Sequence, residues 1–132
     1  MTANLVWAAE VVAVFTEAFP IISTANLPKL AAFYRDAVGF TEVYRFPAEG
    51  EPAFVSLRLG ASELALGAAE AGAGPSPRHD LCVYAGDCDA AAAALVAAGA
   101  RLVEAPADRP WGERTARLTD PDGNGLLLCA RL

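Results

Sequence analysis

The sequence predicts an α+β fold built from two βαβββ modules. A repeated pattern, its constant spacing and a turn-rich break between the copies predict it. "NLPKLAAFYRDAVGFTEVY", from Asn26, and "DCDAAAAALVAAGARLVEA", from Asp87, follow one plan: an Asx-type cap, an apolar helical run, a glycine (Gly39 or Gly99) and a β-rich run. The caps stand 61 residues apart and the glycines 60. Between the copies, "EAGAGPSPR", Glu70 to Arg78, carries turn chemistry throughout.

Each element follows from its own residues. "AFPIIST" reads as the first strand and is followed by a helix from the Asn26 cap to Gly39. "FTEVYRF", "AFVSLRL" and "SELALG" then read as three strands, rich in aromatic and branched residues and bounded by turn formers. The second copy repeats the order: "HDLCVYA", a helix from Asp87 to Gly99, then "ARLVEA", "RTARLT" and "GLLLCA". The chain divides into an N-terminal arm, 1–18, a first module, 19–69, a linker, 70–78, and a second module, 79–132, all within one structural domain. A module's single helix covers only one face of its sheet, so two modules share the rest, and the cleft between them is the expected small-molecule site. The arm, with Leu5, Trp7, Val11, Val12, Val14 and Phe15, is too apolar for a solvated tail but has no clear helix or strand period.

Composition narrows the function. The chain has 132 residues, 55% hydrophobic and 20% charged, which fits a folded domain with a core. A net charge of −6 lacks the basic footprint that nucleic acid or an anionic membrane surface needs. Cys82, Cys88 and Cys129 form no CxxC pair, so neither a disulfide framework nor a structural zinc site is expected, and free thiols fit a reducing cytoplasm. The N-terminus has no basic n-region, and Glu10 and Glu17 interrupt its apolar stretch, so neither a secretory signal nor a membrane span is expected.

The double βαβββ layout, "NLPKLAAFYRDAVGF" and "PWGERTARLTDPDGNGLLL" together resemble the vicinal oxygen chelate superfamily of glyoxalases, bleomycin-resistance proteins and dioxygenases. The start "FPIISTANLPKLAAFYRDAVGF" is most similar to the bleomycin-resistance branch. The resemblance implies a curved eight-stranded cleft with helices outside. It also implies a homodimer in which modules of both chains build each cleft. Metal-dependent members take ligands from the first and last strand of each module, and here those slots fall on Phe19, Asp80, about Ala65, and Leu127. Phenylalanine, alanine and leucine offer no lone pairs, and a catalytic divalent site wants roughly three N or O donors. The one histidine, His79, is expected at the surface or linker edge. No metal and no other cofactor is therefore expected. In "DPDGN", Pro121 presets φ, Asp120 can accept from turn amides, and Gly123 and Asn124 tolerate positive φ, which reads as a hairpin device.

Strand parity gives the candidate site. Val55, Leu57 and Leu59 should pack under the helix, leaving Phe54, Ser56 and Arg58 to the cleft. Ala116 and Leu118 take the helix side, leaving Thr115 and Arg117. Phe19, Ile21 and Ser23 share one face of the first strand, and Asp80, Cys82 and Tyr84 one face of its counterpart. Trp111 sits on a Pro-Trp-Gly turn near the rim, while Phe33 and Tyr34 read as packing residues. The expected ligand contacts are Phe19, Ile21, Phe54, Ser56 and Arg58 from the first module with Asp80, Trp111, Thr115 and Arg117 from the second. Aromatic walls with a carboxylate and two guanidinium groups suit a planar or amphipathic ligand. No nucleophile–base pair and no phosphate loop is present. The expected function is a metal-free small-molecule binding protein of the bleomycin-resistance type. The alternatives are a lyase, isomerase or dioxygenase of the same fold, acting through an unusual metal or through Asp80, and a protein-interaction subunit.

Overall fold

The structure, a computed structural model, describes residues 14–70 and 74–132. The apolar arm through residue 13 lies outside the described residues; Val14 and Phe15, which end it, are exposed.

The first module runs β1 (Ile21–Thr24), α1 (Leu27–Ala32), which continues as a π-helical turn (Phe33–Val38), then β2 (Thr41–Phe46), β3 (Phe54–Leu59) and β4 (Ser62–Ala68). The second runs β5 (Asp80–Tyr84), α2 (Cys88–Ala97), β6 (Arg101–Arg109), β7 (Glu113–Thr119) and β8 (Gly125–Arg131). The eight strands fall into two sheets of four with matching orders, β1-β4-β3-β2 and β5-β8-β7-β6. In each sheet the first strand pairs parallel to the last, and the other neighbours are antiparallel.

The repeat is rooted in the caps. The Asn26 side chain accepts from the Lys29 amide at 3.2 Å, and the Asp87 side chain from the Ala90 amide at 3.0 Å. Each satisfies one donor that a helix N-terminus leaves orphaned. Gly39 and Gly99 close the helices at φ 104° and 112°, in the left-handed region where a Cβ is strained. In α2 the buried residues Cys88, Ala92 and Leu95 recur at i, i+4 and i+7. The first module buries larger groups: Leu27, Leu30, Phe33 and Tyr34.

Parity holds along the strands. Val55, Leu57, Leu64 and Leu66 join Ala116, Leu118, Leu126 and Leu128 in one core with both helices, and Leu59 packs against it. The open faces of the two sheets carry the alternate residues. One expectation fails at β1. The strand begins at Ile21, so Phe19 lies just before it. The Pro20 carbonyl still accepts from the Ala65 amide at 3.0 Å, but proline has no N–H to carry the ladder further back.

Candidate functional site

Among the described residues, β1 and β5 are edge strands, each paired on one side only. A cavity of about 630 Å³ lies where they meet the end of the linker and the DPDGN turn. Its volume is in the range that holds drug-sized molecules, roughly 300–1,000 Å³. Ile21, Ile22, Leu64 and Leu81 supply apolar wall. Ser23, Thr24, Asp80, Asp122 and Asn124 supply polar groups, and Ser76 and His79 close it from the linker side. Ser76 Oγ and His79 Nδ1 lie 3.4 Å apart. His79 is exposed at the linker edge as expected, and it also borders the cavity.

The Asp80 carboxylate in this wall is not free. Arg117 Nη1 donates to Asp80 Oδ2 at 2.7 Å, and Arg117 also approaches Glu104 at 3.7 Å. The hydrogen bond to Asp80 pushes the Arg117 pKa upward. Gly125, opposite Asp80 in the β5–β8 register, leaves the room this carboxylate occupies; a Cβ there would collide with Asp80 Oδ1.

The DPDGN turn does more than close a hairpin. Asp120 Oδ1 accepts from the amides of Asp122 and Asn124, both at 2.9 Å, as the turn chemistry requires. Positive φ is confined to Gly123, at 92°; Asn124 does not use the left-handed region. Asp120 Oδ2 meanwhile accepts from Tyr34 Oη at 2.6 Å, across 86 residues of sequence. Both residues are buried. Burial, with the Asp120 charge beside it, drives the Tyr34 pKa far above its ordinary value. Thr24 Oγ1 donates to Asp122 at 2.5 Å. The turn of the second module therefore pins β1 and the π-helical turn of the first, and it borders the cavity it helps to shape. Tyr34 is a packing residue as expected, with this hydrogen bond in addition.

Of the remaining predicted contacts, Phe54, Ser56, Arg58, Thr115 and Arg117 lie on the open sheet faces, Phe19 precedes β1 and Trp111 sits on the turn between β6 and β7, all outside the cavity. On the first sheet, Ile21, Ala65, Ser56 and Tyr44 form one cross-strand row, and Ser23, Gly67, Phe54 and Phe46 the next. Tyr44 and Phe54 meet edge to face at 6.2 Å. Arg58, further along, is exposed and lies 3.5 Å from Glu63. On the second sheet, the matching rows are Cys82, Leu127, Arg117, Glu104 and Tyr84, Cys129, Thr115, Ala107. Thr115 is buried and accepts from Arg109 Nε at 2.9 Å. Trp111 is 66% exposed, and its Nε1 donates to Glu113 at 3.0 Å. Glu113 also accepts from Tyr84 Oη at 2.6 Å, and the Arg131 guanidinium lies 4.1 Å from the Tyr84 ring centre. Sequence parity placed Tyr84 on this face, but the Glu113 bridge that links it to Trp111 has no local signal. Only Ile21 and Asp80 of the predicted contacts line the cavity itself.

The four slots that hold metal in metal-dependent relatives do not fit one here. Ala65 is fully buried and Leu127 half-buried among its strand neighbours; neither has a donor atom. Phe19 lies before the strand, and Asp80 is tied to Arg117. Among the described residues, no group of three or more His, Cys, Asp or Glu side chains gathers to hold an ion. The thiols are free: Cys129 is buried and its pKa is pushed up to about 12, first by burial and then by its hydrogen bond with Cys82. Among the described residues, no helix is long and apolar enough to cross a membrane.

The chain is similar to solved structures over most of its length. A glyoxalase/bleomycin resistance protein/dioxygenase family enzyme from Burkholderia phytofirmans PsJN superposes with a TM-score of 0.72 at 23% identity, covering 86% of this chain and 97% of that one. TioX from Micromonospora sp. ML1 gives 0.72 at 20% identity, with 89% and 100% covered. A superfamily member from Sphaerobacter thermophilus DSM 20745 gives 0.71 at 25%, with 90% and 100% covered. No relative among curated proteins matches the chain. The family model described as Glyoxalase/Bleomycin resistance protein/Dioxygenase superfamily matches residues 13–128, nearly the whole of both modules, and the chain belongs to that superfamily.

Proposed function

We propose that this protein is a small-molecule binding protein of the bleomycin-resistance type. It sequesters a drug-like or aromatic metabolite between its modules without a metal at the family's ligand positions. The observation that carries this reading is the cavity of about 630 Å³ at the seam, with apolar walls and a few placed polar groups, beside family metal slots that hold phenylalanine, alanine and leucine. The Asp80–Arg117 ion pair at 2.7 Å weighs against an enzyme that uses Asp80 as its base. Asp80 Oδ2 already accepts from Arg117 Nη1, so that oxygen is engaged by the guanidinium and not aimed at a substrate proton.

The reading includes a cytoplasmic homodimer. Tyr44, Phe46 and Ile21 stand exposed on the first open face, and Tyr84 and Trp111 on the second. Monomeric soluble proteins rarely leave such groups together uncovered. A second copy would cover them and build a deeper cleft, over an interface of roughly 2,000 Å² or more.

The test is a thermal-shift screen of the full chain, held in EDTA, against bleomycin-like glycopeptides, other aromatic antibiotics and α-keto thioesters. A ligand at about 100 times its Kd stabilises the fold by roughly 2.7 kcal/mol. A hit among the antibiotics supports the proposal. Turnover of a thioester, or stabilisation only after a divalent metal is added, supports the enzyme alternative.

A further inference from the structure

The fixed charges that line the seam cavity have one sign. Asp122, Asp80 and Glu70 bring carboxylates, and no lysine or arginine is among the lining residues. The one histidine, His79, is exposed at the linker edge. The three acids are not equivalent. Asp80 is matched by Arg117 at 2.7 Å, and Glu70 is exposed where the linker begins. Asp122 is half-buried, and the Thr24 hydroxyl donates to its Oδ2; its Oδ1 accepts no hydrogen bond among the described residues. Beside it in the turn, Asp120 is 3% exposed. Asp120 accepts from the Tyr34 hydroxyl, the Asn124 side-chain amide and the backbone amides of Asp122 and Asn124, all neutral donors. Among the described residues, no basic side chain forms an ion pair with Asp120 or Asp122. Their field reaches Tyr34, itself a lining residue: burial raises its pKa first, and the Asp120 charge and then the Asp122 charge add to the rise.

We propose that the seam cavity takes an amphipathic organic cation, with its protonated nitrogen held by Asp122 at the DPDGN turn and its apolar body along Ile21, Ile22, Leu64 and Leu81. The inference rests on the reading of this cavity as the ligand site and adds the ligand's charge. A carboxylate taken out of water is costly, and neutral hydrogen-bond donors offset only part of that cost. An ammonium or amidinium group donates to Asp122 Oδ1 and brings the turn the positive charge that the described residues do not supply there. Such a charge-assisted bond is about twice as strong as a neutral one. An anionic compound of the same shape meets like charge and is rejected, which makes the turn a selective element as well as a brace. Binding moves no proton and breaks no covalent bond, in keeping with a ligand that is held unchanged.

The experiment titrates the full chain by calorimetry with three probes of one shape: naphthylmethylamine, naphthalenemethanol and naphthylacetate. The amine should bind about tenfold more tightly than the neutral alcohol, and naphthylacetate should bind most weakly. Asp122→Asn keeps an oxygen to accept from Thr24, so the fold should stand, which circular dichroism checks. In that variant the amine should lose about tenfold in affinity, down to the level of the alcohol, whose own affinity should not change. Glu51→Gln removes an equal charge from the exposed loop between β2 and β3, outside the cavity, and should leave the preference as it was. Equal binding of amine and alcohol, tighter binding of naphthylacetate, or amine binding too weak to measure overturns the proposal. So does a preference undiminished in folded Asp122→Asn, or one lost in folded Glu51→Gln, which would trace it to net charge alone. The antibiotic screen decides the wider reading separately: a neutral or anionic hit upholds the ligand site and removes only the charge assigned to its ligand.

Discussion

The two modules share a scaffold and differ in what they display. Position for position, the row Ile21, Ala65, Ser56, Tyr44 of the first sheet becomes Cys82, Leu127, Arg117, Glu104 in the second. The next row, Ser23, Gly67, Phe54, Phe46, becomes Tyr84, Cys129, Thr115, Ala107. One open face is aromatic and small, the other polar and sulfur-bearing. The core face varies far less: aliphatic side chains alternate under a helix in both. A strand gives its two faces separate constraints. Packing fixes one, and the other is left to the chemistry the protein needs. The cavity lies where the edge strands β1 and β5 meet the linker end and the DPDGN turn.

The modules are also unequal in dependence. The first leans on the second through Tyr34 and Asp120, whereas no equivalent bond reaches from the first module's turn to α2 among the described contacts. The sharpest break of this comparison is Asp120→Ala. It leaves a buried tyrosine hydroxyl without its acceptor and removes both amide bonds of the turn. A loss of about 3–5 kcal/mol is expected, in the range for breaking a buried hydrogen-bonded charge. Urea unfolding followed by Trp fluorescence and circular dichroism checks it. A loss below 1 kcal/mol would mean that the turn does not brace the first module.

Tyr34→Phe is the milder form, with an expected cost of about 1–3 kcal/mol near neutral pH. It also carries a pH signature. The folded Tyr34 pKa is raised, so the native state keeps a proton that the unfolded chain gives up above about pH 10. The stabilisation is fully present below that value and falls as pH rises beyond it. The parent chain should lose stability on the alkaline side, and Tyr34→Phe should flatten that part of the curve. Parallel curves would remove the buried Tyr34–Asp120 bond from the account.

Much of this fold is legible in the sequence, because it is written in local signals. Asn26 and Asp87 cap helices, Gly39 and Gly99 end them, and alternation tells core from open face. Strand starts were less secure: Pro20 stops the β1 ladder one residue after Phe19, so that side chain cannot be assigned by strand parity. The site was legible only in part. Phe54, Arg58 and Arg117 lie on the faces that parity assigned, but the cavity is formed by strand edges, the linker end and the DPDGN turn. Which edges meet is a tertiary fact. The Tyr34–Asp120 bond and the Cys82–Cys129 pair span 86 and 47 residues, and no periodicity connects such partners.

The ligand site offers a test of similar size to Tyr34→Phe, now read in affinity. Once a ligand is found, Trp111→Ala and Phe54→Ala should each weaken it by about 1–3 kcal/mol, the usual cost of losing an aromatic anchor. Titration calorimetry measures it. Unchanged affinity in both would confine binding to the cavity and remove the open faces from the site. The smallest effect is expected from Asp80→Asn. Asp80 and Arg117 are both partly exposed, and such pairs contribute less than about 1 kcal/mol to stability. The melting temperature should hardly move, while ligand affinity falls if Asp80 is a contact.

Sedimentation equilibrium at micromolar concentration tests whether the two unlike faces meet across a dimer. A mass of two chains is expected, and one chain at every concentration would end that part of the proposal. The central claim is that the protein holds its ligand and leaves it unchanged. The most direct measurement incubates the EDTA-treated protein with the strongest hit of the thermal-shift screen, then recovers the ligand and weighs it by mass spectrometry. The account predicts one ligand per cleft, released on unfolding with its mass unchanged. A ligand of altered mass, or binding that appears only when a divalent metal is restored, would contradict it.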